Sequence, residues 1–254
     1  MARGVAVDVQ VKSDFEEIWT RSNLERLEDP PKQKEAIRSA HKFAICISLM
    51  AKAVKNRPDH ERVFLQEAAS DSIHLIHALI NGDGRGGVFY LRSIIENFWR
   101  HHYFRSHPVE YGWLHTRPKY HLTMKDLREH CGWLDCFSGE LKKSLATLDN
   151  LYADLSTEVH STSSRTLMLR ETLDQIKLSE AQTKKLGEKL RNVMKDVIVL
   201  TISASDDVFS GLHFNSQEFV MKSLDNSRRT RRESSLAARV VQPAVVPSIG
   251  IGAS

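Results

Sequence analysis

The stretch that decides the fold is residues 88–107, VFYLRSIIENFWRHHYFRSH, which ends immediately before Pro108. Large apolar side chains recur in it at intervals of three and four residues, the spacing that places them on one face of an α-helix. Because proline lacks the N–H that a helix interior needs, Pro108 is expected to end this helix. The segment therefore predicts a long amphipathic helix whose apolar positions are Val88, Leu91, Ile95, Phe98, Trp99 and Tyr103.

Helical periodicity also covers most of the remaining chain. Seven prolines and twelve glycines in 254 residues are few, which favours long helices over many short strands. No pair of strands is indicated, and residues 108–122 are expected to be irregular. The sequence therefore predicts an all-α fold, a helical bundle of about six to eight helices. The further predicted helices are 14–27, 34–56, 61–80, 123–133, 138–159, 179–203 and 206–224.

The formal charge of +4 is concentrated at the C-terminal end of the chain. Between Ser227 and Ser254 there are five arginines and one acid, so the preceding residues sum to zero. A neutral core argues against a basic nucleic-acid-binding domain. Composition predicts an N-terminal lead with a short helix at 1–33, a helical bundle at 34–226 and a disordered basic tail at 227–254. The tail either contacts nucleic acid or an acidic partner through its charge, or is an inert solvated segment.

Cysteine content and hydropathy indicate the compartment. Three cysteines, Cys46, Cys131 and Cys136, form no disulfide framework and suit a reducing cytosol. The N-terminus lacks the apolar segment of a signal peptide, and no run of about 18 apolar residues predicts a membrane span. We therefore expect a cytoplasmic protein that makes no membrane contact.

Two other motifs do not match a known ligand site. Histidines are dense between His101 and His130, and Cys131 and Cys136 follow them. A metal-dependent hydrolase would require these residues to have a zinc-ligand spacing, but they match none. The glycine-rich segment 81–87, NGDGRGG, precedes a helix but lacks the Gly-Lys-Ser/Thr of a phosphate-binding loop. It predicts a hinge between helices. No metal and no cofactor are therefore expected.

Five polar residues in two helical segments form the first candidate site. Arg92 and Glu96 are spaced i, i+4 on one helix, and Tyr152, Ser156 and His160 share one face of another. An ionic group on an apolar face is costly unless it is paired, so Arg92, Glu96 and His160 are candidates to be partners of each other. Two interpretations remain open. The group is either a structural ion pair that holds the second helix, or an anion-binding or catalytic site.

Leu91-Arg92-Ser93-x-x-Glu96 and Tyr152-x-x-Leu155-Ser156-x-x-Val159-His160 together resemble segments of HEPN-like proteins, the higher eukaryote and prokaryote nucleotide-binding superfamily. The resemblance covers residues 38–205. It implies an α-helical bundle that forms a homodimer. It also implies a metal-independent ribonuclease that acts on RNA in a bacterial defence or toxin system, or a member that has lost catalysis and serves as a binding module.

The catalytic signature of that superfamily is an arginine followed, after four to six residues, by a histidine. Arg100 and His107 match it, and the polar His101 directly follows the arginine. The resemblance implies that Arg100 stabilises charge on the scissile phosphate and that His107 acts as general acid or base at the 2′-OH or the leaving oxygen.

The rival hypothesis is a non-catalytic all-α module that binds a protein partner. The two hypotheses predict different surfaces. A nuclease is expected to hold Arg100 and His107 in one cleft with positive potential. A binding module is expected to bury the pair formed by Arg92 and Glu96 and to expose an apolar groove instead.

Overall fold

The computed structural model describes residues 6–160 and 171–241, and within them the chain forms eleven α-helices and no β-strand. The all-α prediction is confirmed, and the described helices outnumber the six to eight that were predicted. None of the described helices is both long enough and apolar enough to cross a bilayer. The helices are α1 (Val7–Arg21), α2 (Pro30–Ala53), α3 (Asp59–Ile80), α4 (Gly84–Ser106), α5 (Pro108–Thr116), α6 (Met124–Trp133), α7 (Leu141–Val159), α8 (Glu180–Ala204), α9 (Asp206–Ser210), α10 (Phe214–Ser223) and α11 (Asn226–Val241).

Helix ends follow local capping chemistry. The Asp29 side chain accepts a hydrogen bond from the Lys32 N–H at the start of α2, where Pro30 takes the first position because no N–H is needed there. Pro108 both ends α4 and begins α5, so the prediction of an irregular segment is wrong for residues 108–116. α1 begins at Val7 rather than at residue 14, and its N-cap residue makes no side-chain hydrogen bond.

The core lies where α2, α3, α4 and α8 meet. α3 and α4 form an antiparallel hairpin, and α8 packs against α2, α4 and α7. Trp99 and Leu91 of α4 are fully buried in this core. A Cβ on Gly87 would lie 3.0 Å from Leu186 Cδ2, so glycine at this position permits the close approach of α4 and α8. The predicted hinge segment forms the α3–α4 turn and the first turn of α4, and Gly82 adopts a left-handed φ of 74° in it.

Two of the C-terminal arginines, Arg228 and Arg231, belong to the folded body. α11 packs against α7 and α8. Arg228 donates from Nε and Nη2 to the two carboxylate oxygens of Asp196, at 2.7 and 2.8 Å, and Asp196 is fully buried in α8. Arg231 donates to a serine hydroxyl of α7 at 2.9 Å. The predicted disorder is therefore wrong for residues 227–241, and residues 242–254 of that prediction lie outside the described residues.

Candidate functional site

One side of α4 carries four candidate residues: Arg92, Glu96, Arg100 and His107. Residues spaced three or four positions apart lie on the same side of a helix. The residues on this side of α4 are partly or fully exposed. Their neighbours Leu91, Ile95 and Trp99 are buried on the other side. α6 and α7 both contact α4. We call this exposed row the α4 stripe; it consists of Arg85, Phe89, Arg92, Glu96, Arg100, Tyr103 and the C-cap residue His107.

The Arg92 guanidinium is the centre of a polar cluster that joins α4 to α7. Its Nη2 lies 2.6 Å from Glu96 Oε1 and donates to Tyr152 Oη at 3.1 Å, and its Nε donates to Ser156 Oγ at 3.0 Å. The Tyr152 hydroxyl donates in turn to Glu96 Oε1 at 3.2 Å. The Arg92 and Glu96 side chains are 18% and 13% exposed, so each charge depends on the other for compensation. We call these four residues the α4–α7 cluster.

Further polar contacts continue the α4–α7 cluster into the bundle. Glu96 Oε2 lies 3.7 Å from Arg100 Nη2, and Arg100 donates to Asn97 Oδ1 at 3.4 Å. Asn97 donates to Asp71 Oδ2 of α3 at 2.9 Å. Burial raises the pKa of Asp71, and hydrogen bonds from Ser93 and Asn97 oppose that shift. The contacts therefore connect α7, α4 and α3 in one network.

His160 lies apart from the α4–α7 cluster. It is the C-cap residue of α7 and is exposed, and no hydrogen bond or ion pair within the described residues joins it to Arg92 or Glu96. The reason is the antiparallel register of α4 and α7, which pairs Arg92 with Ser156 and places His160 one turn further along. There Arg85 donates to the carbonyl oxygen of Val159, the residue before His160, at 3.0 Å. The structure thus brings His160 to the start of α4 rather than to the ion pair.

Arg100 and His107 lie on the same stripe but two helical turns apart. Seven residues of helix separate them by about 10 Å. The His107 ring stacks on Tyr103, with centroids 4.2 Å apart, and meets His130 of α6 at 4.9 Å. His107 Nδ1 lies 2.8 Å from the Tyr103 carbonyl oxygen. Because a carbonyl only accepts, Nδ1 carries the proton and Nε2 is the basic nitrogen of the neutral ring.

The histidine-rich region is a packed aromatic group. His102 packs edge-on against Phe98 and Phe137, and within the described residues no group of His, Cys, Asp and Glu has the arrangement needed to hold a metal ion. Burial, with the nearby Arg105 charge, lowers the pKa of His101 to about 4. Burial also lowers the pKa of His102. Both rings are therefore neutral at pH 7.

Comparison with known proteins assigns no family to this arrangement. No protein-family model, curated protein or solved structure matches the chain. The HEPN-like resemblance therefore stays a prediction that rests on its two segments.

The sequence did not predict the buried residues that continue the α4–α7 cluster toward α3. Asp71 and Asn97 are 6% and 2% exposed and bond to each other across the α3–α4 interface. Asp71 lies in the largely apolar segment 68–80. A buried acid requires a donor, so its position among apolar residues was the available signal.

Proposed function

We propose that the protein is a non-catalytic helical module that binds a protein partner. The supporting observation is that the polar groups of the α4–α7 cluster bind one another through an ion pair and hydrogen bonds. The cluster consists of Arg92, Glu96, Tyr152 and Ser156. A catalytic base must reach the proton that it removes, and a charge-stabilising group must reach the same reacting centre. Because its polar groups already bind one another and are largely buried, the cluster is better suited to holding α7 against α4 than to catalysis.

The surface that we assign to the partner is an aromatic edge formed by His74, Phe89 and Tyr90. Phe89 is 47% exposed, and its ring meets Tyr90 at 5.4 Å. Tyr90 stacks in turn on His74 of α3 at 5.1 Å. Rigid, exposed aromatic side chains are enriched at the centres of protein interfaces. We propose that a second copy of the chain covers this edge, which agrees with the homodimer that the resemblance implies.

Phe89→Glu is expected to convert the dimer into a monomer, with at least a tenfold rise in the dimer dissociation constant, because a charge would enter an apolar contact. Size-exclusion chromatography with light scattering measures the mass. Trp133→Glu is the control, since Trp133 is 86% exposed on α6 and lies outside the aromatic edge. A wild-type protein that stays monomeric at its highest soluble concentration would contradict the homodimer.

A metal-independent ribonuclease is the second candidate, and the proton position on His107 favours it. With Nδ1 donating to a carbonyl, Nε2 is able to accept a proton from a 2′-OH. Arg85 and Arg100 on the α4 stripe would contact phosphates, and Phe89 would stack on an unpaired base. Under this hypothesis the protein acts on RNA in a bacterial defence or toxin system, as the HEPN-like resemblance implies.

Incubation of the purified protein with total RNA in EDTA separates the two functions. The binding module is expected to leave the RNA intact over hours, since its polar cluster serves structure. Cleavage that Arg100→Ala/His107→Ala abolishes, while Arg21→Ala/His121→Ala retains it, would establish the nuclease and overturn the module. Circular dichroism verifies that both variants fold. Arg21 and His121 are suitable controls because both are exposed and neither belongs to the α4 stripe.

We also propose a cytoplasmic location. All three cysteines are free thiols, and Cys46 and Cys131 are buried. Burial raises the pKa of the Cys46 thiol to about 12, so it is unreactive as a nucleophile. Unpaired thiols are typical of a reducing compartment.

A further inference from the structure

An open cavity of about 390 Å³ lies between the end of α1 and the neighbouring faces of α2 and α3. This volume falls within the range of small-molecule sites in proteins. The cavity is distant in sequence from the α4–α7 cluster and shares no residue with it. Isoleucines form most of the apolar wall: Ile18, Ile45, Ile73, Ile76 and Ile80.

Polar side chains line the cavity near two helix ends. Its wall on α3 runs from Ile73 to Ile80, which spans about 10 Å at the helical rise. Ser22 and Asn23, after the end of α1, and Asn81, after the end of α3, also line it. The two helix ends are close together, because Gly82 packs against the backbone of Arg26. A chain-like ligand with one polar end matches this distribution.

A buried histidine forms part of the same cavity wall. His41 of α2 lines the cavity, is 5% exposed and packs its ring against Phe15 of α1 at 5.7 Å. Its Nδ1 is buried and has no hydrogen-bond partner among the described residues. Burial lowers the pKa of His41, and the nearby Asp14 opposes the shift. The ring is therefore neutral at pH 7 and adds a polar group to a wall that is otherwise mostly apolar.

The side chains that line the cavity indicate whether its ligand carries a charge. Within the described part of the chain, no Lys, Arg, Asp or Glu lines the cavity. An ionised head group would lose its hydration there without gaining a counter-charge. We infer that this cavity binds an uncharged medium-chain amphiphile, with its alkyl chain along the isoleucines and a hydroxyl or amide head at the polar groups. This inference does not depend on the proposed partner function.

The test uses N-phenyl-1-naphthylamine, an uncharged apolar fluorophore with one N–H donor. Its fluorescence is expected to rise saturably with the wild-type protein. At pH 8, 1-octanol is expected to displace it at a concentration at least tenfold lower than octanoate, which has a similar chain and a negative charge. The comparison of the two competitors isolates the head group from the chain.

Ser48→Phe places a ring into the cavity and is expected to weaken probe binding at least tenfold, since Ser48 lines the wall. Ser39→Phe is the matched control on the same helix, outside this cavity, and is expected to change binding less than twofold. Thermal unfolding verifies that both variants fold. If Ser48→Phe does not fold, Ile73→Trp at the 59% exposed rim replaces it. Unsaturable fluorescence, unchanged binding to the blocking variant, or equal displacement by octanoate and octanol would overturn the inference.

Discussion

Replacing Arg228 with alanine is expected to lower the free energy of unfolding by about 3–5 kcal/mol. Arg228 bonds both carboxylate oxygens of Asp196, at 2.7 and 2.8 Å, and Asp196 is fully buried. Without the Arg228 guanidinium, the carboxylate either stays buried without a hydrogen-bonded cation, since Arg231 Nη1 lies 3.8 Å away, or meets water after α11 has detached. Both outcomes cost stability, because a buried charge is expensive to leave unpaired. Urea-induced unfolding followed by circular dichroism measures the loss.

Two further variants distinguish the stability lost by breaking the ion pair from the stability lost by removing any arginine. Arg21→Ala removes an arginine that is 78% exposed and pairs with Glu17 on the surface, so it should barely change stability. Arg228→Met/Asp196→Leu removes both charges and is expected to recover most of the loss, since apolar replacements often compensate for a buried pair. A loss in Arg228→Ala no larger than that in Arg21→Ala would contradict the structural role of the pair.

Limited proteolysis locates the effect of Arg228→Ala. If α11 detaches while the bundle stays folded, trypsin gains access to the remaining arginines of residues 226–241 before global unfolding. The variant is then expected to be cut there at concentrations of urea that leave α4 and α8 folded. Uniform protection of residues 226–241 up to the global transition would show that α11 and the bundle unfold together.

The long helices could be predicted because their apolar positions alone specify a buried face. α2, α3, α4 and α8 lie close to their expected bounds for this reason. α11 could not be predicted in this way, because its sequence NSRRTRRESSLAARVV is rich in arginine and serine, a composition typical of disorder. An ion pair holds it to the bundle instead. The available signal was Asp196, an acid in the largely apolar second half of α8, which has to meet a cation.

The candidate site could be predicted in part from helical spacing. The i, i+4 spacing identifies which residues share a face, and it placed Arg92 with Glu96 and Tyr152 with Ser156. It does not specify the register of one helix against another, which depends on how the core side chains pack. The observed antiparallel register of α4 and α7 therefore left His160 one turn beyond the ion pair.

Acid is expected to destabilise the protein through its buried histidines. The pKa of His101 is lowered to about 4, first by burial and then by the charge of Arg105, whereas an unfolded histidine titrates near 6.5. Between these values the unfolded chain binds a proton that the native protein does not. Stability is therefore full above about pH 6.5, falls as the pH drops, and has lost about 3 kcal/mol from this residue by pH 4. Burial lowers the pKa of His102 as well, in the same direction.

His101→Leu isolates this contribution, because the comparison is made between two pH values within each protein. The difference in unfolding free energy between pH 8 and pH 4 is expected to be about 3 kcal/mol smaller in the variant than in the wild type. Carboxylates such as Asp207, whose pKa is lowered by Arg105 against the opposing effect of burial, contribute to acid unfolding in both proteins and largely cancel. His121→Leu, at an exposed position, should retain the wild-type difference. An identical difference in all three proteins would mean that His101 is hydrated in solution, and α4 would then be packed less tightly than the structure shows.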